Sequence, residues 1–123
     1  MTRHSLPIGL SLAAVLAGTI AVQAAAATMA PPSAEELTYK SYHEGVYAAV
    51  ECRGAVFTPA DHMVLERRIE ERSGIAIHSG RQLDLIQAAK VTINNAMSHA
   101  GCAADEVQGA LVRFDTIRGY QPK

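Results

Sequence analysis

Residues 57–74 read FTPADHMVLERRIEERSG and contain complete start and stop signals for one helix. Thr58 can cap the free backbone amides of a first turn, and Pro59 has the backbone geometry that a first turn needs. We expect this helix to run to about Arg72, where Gly74 follows and ends it. The residues expected to face the core are Met63 or Val64, Leu65 and Ile69.

The segment upstream predicts helix one. Ser33 and Glu36 have the spacing of a capping box, and Gly54 is placed to end the helix. Spacings of three and four define one apolar face. Its members are Tyr39, Tyr42, Val46, Ala49 and Val50.

Two further helices are predicted downstream. Ser79 and Gln82 suggest a capping box for helix three, which Gly101 ends, and Asp105 is a candidate cap for helix four, which Gly119 ends. The apolar stripe of helix three is Leu83, Ile86, Ala89, Ile93, Ala96 and Met97. That of helix four is Val107, Ala110, Leu111, Phe114 and Ile117.

These four segments predict an all-α domain over residues 33–119, followed by a tail at 120–123. Short connections favour a small four-helix up-down bundle, and an irregular helical array is the alternative. The two cysteines, Cys52 after helix one and Cys102 after helix three, would lie at the same pole of such a bundle. We expect them to form one disulfide, which would stabilise the fold by about 4 kcal/mol because it closes a loop of about 50 residues.

Residues 1–27 have the layout of a secretory signal peptide, and 28–32 form a flexible leader. Arg3 gives a positive start, the run from Leu6 to Val22 is apolar, and the alanines after it suit a signal peptidase. A retained membrane anchor is the alternative, but the run is near the lower limit of about 17 residues for a span. We therefore expect a periplasmic or secreted protein with no stable membrane span after cleavage.

Composition and motifs exclude several functional classes. The chain has eleven Lys and Arg, one of them Arg3, and twelve Asp and Glu. No excess of positive charge is therefore present to neutralise a nucleic-acid backbone. Tryptophan, which could stack on bases or sugars, is absent. His43-Glu44 begins like a zinc-protease motif, but Tyr47 stands where the second histidine is required. We expect a non-enzymatic protein with no cofactor and no nucleic-acid partner.

Weak candidates for a metal site lie on helix two. Histidine and carboxylate side chains suit a cation, and a spacing of four places two of them on one helical face. The candidates are Asp61, His62, Glu66 and Glu70. A solvated surface is the alternative, and because dense oxygen ligation is lacking we assign no metal ligand.

Three residues are candidates for partner binding. Arg67 and Arg68 can form ion pairs with Glu70 and Glu71 on an exposed helix face, or can grip the carboxylates of a docked partner. Tyr47 lies well round helix one from Tyr42, and an exposed tyrosine often marks a contact surface, with simple core packing as the alternative. We therefore name Arg67, Arg68 and Tyr47 as candidate contact residues.

The chain resembles the small helical proteins with one cysteine pair that alphaproteobacteria export. The resemblance rests on the signal peptide, the short capped helices, and Cys52-Arg53 and Gly101-Cys102 about 50 residues apart. In size, helicity and cysteine separation the chain is also similar to periplasmic acid-stress chaperones. Those carry a tryptophan and an aspartate–aromatic pair beside the first cysteine, where this chain has Val50-Glu51.

We accordingly expect a small binding or interaction protein whose partner is a protein or a small ligand. The likeness to the chaperones implies an alternative, in which protonation of carboxylates such as Glu70 and Glu71 loosens the bundle at low pH. A second alternative is a metal-handling protein with a surface carboxylate and histidine site. It follows from similarity in size and location to small periplasmic metal-handling proteins of methylotrophs.

Overall fold

The computed structural model describes residues 30–120, and all regular structure in this range is helical. The helices are α1 (Ala34–Arg53), α2 (Pro59–Ser73), α3 (Ser79–Ala100) and α4 (Asp105–Arg118), with a 3₁₀ turn at Gly101–Ala103. The prediction of an all-α fold is confirmed. The predicted signal peptide lies outside the described residues, as do residues 28, 29 and 121–123. Within the described range, none of the helices combines the length and apolar character that crossing a bilayer requires.

The predicted starts of α1 and α2 are confirmed, and both form capping boxes, although at Thr58 only a side-chain cap was expected. The Oγ of Ser33 accepts a hydrogen bond from the amide of Glu36 at 3.1 Å, and the Glu36 carboxylate accepts one from the amide of Ser33 at 2.8 Å. Thr58 and Asp61 repeat this exchange at the start of α2, at the same two distances. The glycine stops after α1 and α2 are also confirmed, with φ values of 64° and 72°.

The predicted starts of the other two helices are wrong. His78 caps α3, because its Nδ1 accepts a hydrogen bond from the amide three residues on at 3.3 Å, and Ser79 is already helical. Gln82, the expected partner of Ser79, donates instead to carboxylates of α2. Asp105 is the first helical residue of α4, and Ala104 before it has no side-chain cap. Ala104 is buried, so tertiary packing fixes this start.

α1 is the central helix. It packs against α2, α3 and α4, whereas α2 and α3 scarcely approach one another. α4 crosses α1 so closely that a Cβ atom on Gly45 would lie 2.6 Å from the carbonyl oxygen of Ala110. The arrangement is therefore closer to an irregular array around α1 than to a square bundle.

α1 and α3 run parallel. Lys40, in the first half of α1, donates to Thr92 of α3 at 2.9 Å, and further along both helices Cys52 meets Cys102. The predicted disulfide is confirmed, with a Cα–Cα distance of 5.7 Å. It ties the end of α1 to the turn after α3.

The core contains buried side chains from all four helices. The stripe predicted for α4 is confirmed, since all five of its residues are buried. The stripe predicted for α3 is partly wrong, because Leu83 is 57% exposed and Leu85, outside that stripe, is fully buried. Val50 of α1 is exposed, and so are both Met63 and Val64 of α2, one of which was expected to be buried. α2 buries only a narrow stripe because its backbone stays apart from that of α3, with Gln82 reaching its carboxylates through a side chain.

Candidate functional site

An open groove lies between α2 and α3 because both helices pack on α1 without closing on each other. We call it the α2–α3 groove; its volume is about 810 Å³. Its apolar lining comes from three helices: Val46, Val50, Met63, Leu65, Ile69 and Ile86. Small-molecule sites typically have volumes of roughly 300–1,000 Å³ and predominantly apolar walls.

The end of the groove nearest the start of α3 is polar and centres on Glu66. The hydroxyl of Tyr39 donates to Glu66 Oε1, and Gln82 Nε2 donates to the same oxygen at 3.3 Å. His43 Nε2 lies 3.0 Å from Glu66 Oε2, although it is not aligned as a hydrogen bond. Gln82 also donates to Glu70 Oε1 at 2.9 Å. Both oxygens of Glu66 therefore have close polar neighbours.

The ionisation of this cluster follows from its surroundings. Burial raises the pKa of Glu66, but the contacts with His43 and Tyr39 outweigh burial, so the pKa lies below its ordinary value. Burial, and then the Glu66 carboxylate, raise the pKa of Tyr39 well above its ordinary value. At neutral pH Glu66 is therefore ionised and Tyr39 is the donor. Such a carboxylate holds α2 against α1. Because its pKa is lowered, it is a weak base and is poorly suited to take a proton from a substrate.

The opposite end of the groove is basic and aromatic. Lys90 Nζ lies 5.9 Å from the centroid of the Tyr47 ring, and the hydroxyl of Tyr47 donates to Asn94 Oδ1 at 3.1 Å. Lys90 follows Gln82 by eight residues, which is about 12 Å along α3 at a rise of about 1.5 Å per residue. The groove thus has a carboxylate end and an ammonium end.

The structure places two of the three candidate contact residues at the groove. Tyr47 and Arg67 line it, whereas Nη1 of Arg68 donates to the last carbonyl of α4 at 2.8 Å. The predicted ion pairs of Arg67 and Arg68 with Glu70 and Glu71 are wrong, since none forms within residues 30–120. Contacts with other helices replace these local ion pairs. Arg68 donates a hydrogen bond to the end of α4, and Glu70 accepts one from Gln82 of α3.

The four weak metal candidates do not converge. Asp61 is held in the capping box of α2, and His62 packs edge-on against Phe57 with 5.6 Å between ring centroids. Glu66 and Glu70 lie at the carboxylate end of the groove. In the part of the chain that the structure describes, no three His, Cys, Asp or Glu side chains are placed to hold a metal ion.

His43 and Glu44, the two residues that resembled a protease motif, contact different partners. Whereas His43 adjoins Glu66 beside the groove, Glu44 is buried on another side of α1. Lys40 Nζ lies 2.5 Å from one carboxylate oxygen of Glu44, and Arg113 Nη2 lies 3.1 Å from the other. Glu44 therefore joins α1 to α4 and has no part in the groove.

Sequence reasoning missed Gln82 and Ile86 as groove residues. Together with Lys90 they form an i, i+4, i+8 row, and this spacing could have shown that they share one face of α3. By contrast, Tyr39 and Glu66 are 27 residues apart, and no local pattern connects them.

Comparison of the chain with protein-family models, with curated proteins and with solved structures finds no match. The geometry of the groove is therefore the guide to function.

Proposed function

We propose that the chain is a non-enzymatic, periplasmic or secreted binding protein that holds a small, mainly apolar molecule in the α2–α3 groove. The supporting observation is the groove itself, with a volume of about 810 Å³ and six apolar lining residues. Two of these are exposed, since Met63 is 68% exposed and Val50 38% exposed. Covering them would be favourable by about 25 cal/mol for each Å² of apolar surface removed from water.

The rigidity of the groove walls supports the same function. α1 and α3 are tied at one end by the Cys52–Cys102 disulfide and at the other by the ion pair between Glu36 and Arg81. α2 is held to α1 by the contacts of Glu66. A preformed groove requires little ordering on binding, which favours affinity.

The disulfide also supports an exported location. Such bonds form and persist mainly in oxidising compartments, including the bacterial periplasm and the extracellular space. The pattern of residues 1–27 independently indicates secretion.

A neutral fluorescent dye tests the proposal directly. N-phenyl-1-naphthylamine becomes fluorescent on entering an apolar site, and we expect saturable binding of one dye per chain. Met63→Glu places a charge on the groove lining at an exposed position, so we expect it to weaken dye binding about tenfold. Val64→Glu is the matched control, because Val64 is also exposed, adjoins Met63 and does not line the groove.

If the groove is the site, the Met63 variant binds the dye more weakly and the Val64 variant binds it as tightly as the wild type does. Circular dichroism checks that both retain the helical fold. Equal dye affinity in the Met63 and Val64 variants, or no saturable binding by the wild type, would exclude the groove as a binding site.

A further inference from the structure

The charges along the α2–α3 groove identify a class of ligand. The carboxylates at one end are engaged: Glu66 has polar neighbours on both oxygens, and Glu70 accepts a hydrogen bond from Gln82. A cationic ligand would have to compete with these contacts. The carboxylate end is therefore a poor site for an added positive charge.

The basic end differs because the charge of Lys90 is not neutralised by the protein. Among residues 30–120, Lys90 lines the groove and forms no ion pair with a carboxylate, and the same holds for Arg67, which adjoins Glu66 in α2. Lys90 is instead placed beside the ring of Tyr47. By comparison, Lys40, Arg81 and Arg113 are each paired with a carboxylate. The ammonium of Lys90 is available to an anion that enters the groove.

Apolar side chains line the walls of the groove between its two ends. Ile86 lies on α3 between Lys90 and Gln82, and Ile69 and Leu65 face the groove from α2. The span of about 12 Å along α3 suits an unbranched hydrocarbon chain of medium length. A charged group at Lys90 would leave the rest of such a chain on apolar surface.

We propose that the groove binds a single-chain amphipathic carboxylate, with its anionic group at Lys90 and its hydrocarbon chain extending past Ile86 towards Gln82. This inference rests on the proposed function and adds the chemical class of its ligand. The ionised head group gains a charge-assisted hydrogen bond, and the chain gains from burial. Within the length of the groove, each added methylene should strengthen binding about fourfold.

Competition against the bound dye compares decanoate with decanol, which have the same chain length and differ in charge. At pH 8 we expect decanoate to displace N-phenyl-1-naphthylamine at a concentration at least tenfold lower than decanol. Lys90→Gln should raise the concentration of decanoate required about tenfold and leave decanol unchanged. Arg118→Gln is the control, because Arg118 is an exposed cation that does not line the groove, and it should behave as the wild type.

The outcomes distinguish failure of this inference from failure of the proposed binding function. If decanol displaces the dye as well as decanoate does, the groove binds apolar molecules without selecting an anion. If decanoate is preferred but Lys90→Gln leaves it unaffected, the anionic group is not held at Lys90, and the inference is overturned. If the wild type does not bind the dye, the proposed function itself fails. Lys90-dependent binding to phosphatidylglycerol vesicles, without displacement of dye by decanoate, would overturn the inference in favour of a lipid surface.

Discussion

The guanidinium of Arg81 holds the carboxylate of Glu36 through two nitrogen atoms, with Nε 2.7 Å from Oε1 and Nη2 2.9 Å from Oε2. The pair joins the start of α1 to the start of α3. Hydrogen bonding from Arg81, and then from the amide of Ser33, lowers the pKa of Glu36 from 4.5 to about 2. The interaction is therefore retained far into the acid range.

The first prediction concerns the pH dependence of this ion pair. Because the folded-state pKa of Glu36 is lowered, its contribution to stability is complete above about pH 4.5 and is lost as the pH falls towards 2. We expect Glu36→Gln, which preserves a capping residue, to lower Tm at pH 7, and the difference from wild type to close between pH 4.5 and 2. Thermal unfolding followed by circular dichroism measures this. Glu71→Gln, at an exposed position, is the control and should match the wild type, and a Glu36 difference that persists undiminished at pH 2 would contradict the prediction.

A second prediction distinguishes the binding protein from an acid-stress chaperone. A chaperone of that kind would lose fixed packing yet keep its helices at low pH, where its carboxylates are protonated. Arg53 lowers the pKa of Asp115 as Arg81 lowers that of Glu36, so both carboxylates stay ionised at lower pH than they would without their arginine partners. We expect the near-ultraviolet circular dichroism of the tyrosines at pH 3 to equal that at pH 7. A lost near-ultraviolet signal with an unchanged far-ultraviolet spectrum would support the chaperone.

The third prediction concerns the disulfide between Cys52 and Cys102. Its removal frees a loop of 50 residues in the unfolded chain, which should cost about 4 kcal/mol and lower Tm by about 20 °C. The variant with both cysteines changed to alanine and the chemically reduced wild type should give similar values. Mass spectrometry verifies the oxidised state of the starting protein. A Tm unchanged by reduction would show that the disulfide adds no stability.

Local signals in the sequence were sufficient for most helix boundaries. The capping box at Ser33 and the cap at Thr58 formed as expected because each depends on residues within one turn. The buried face of α3 could not be selected in the same way, since Leu83 and Leu85 lie on different faces and both are apolar. Burial of Leu85 depends on the direction from which α1 approaches, which local periodicity does not encode.

The groove was beyond prediction for a related physical reason. The groove exists because α2 and α3 pack on α1 without packing closely against each other along their length. Arg67 and Tyr47 were predicted as candidate contact residues, but from separate helices and without a shared site. The contact of Tyr39 with Glu66 depends on the same tertiary packing.

The fourth prediction tests the role of Arg68 in holding α4. Its Nη1 donates to the backbone carbonyls of Ile117 at 3.4 Å and Arg118 at 2.8 Å, which lie at the negative end of the helix dipole. We expect Arg68→Ala to destabilise the protein by about 1.5–3 kcal/mol, because hydrogen bonds to a charged donor are lost. Hydrogen exchange should show faster opening of the last turn of α4. Arg67→Ala, its exposed neighbour, should change stability by less than about 0.5 kcal/mol; equal effects of the two substitutions would exclude the capping role.

The fifth prediction compares two glycines within helices. A Cβ atom at Gly45 would lie 2.6 Å from the carbonyl oxygen of Ala110 and 3.0 Å from the amide nitrogen of Phe114, and these backbone atoms can yield only if α4 shifts. We expect Gly45→Ala to destabilise the fold by about 2 kcal/mol through overpacking. At Gly109 the nearest atom is the flexible end of Arg113 at 3.8 Å, so Gly109→Ala should stabilise α4 by about 0.5–1 kcal/mol, as alanine favours a helix interior. Urea unfolding of the two variants should therefore move the midpoint in opposite directions, and a stabilising Gly45→Ala would mean that α4 does not contact α1 at this position.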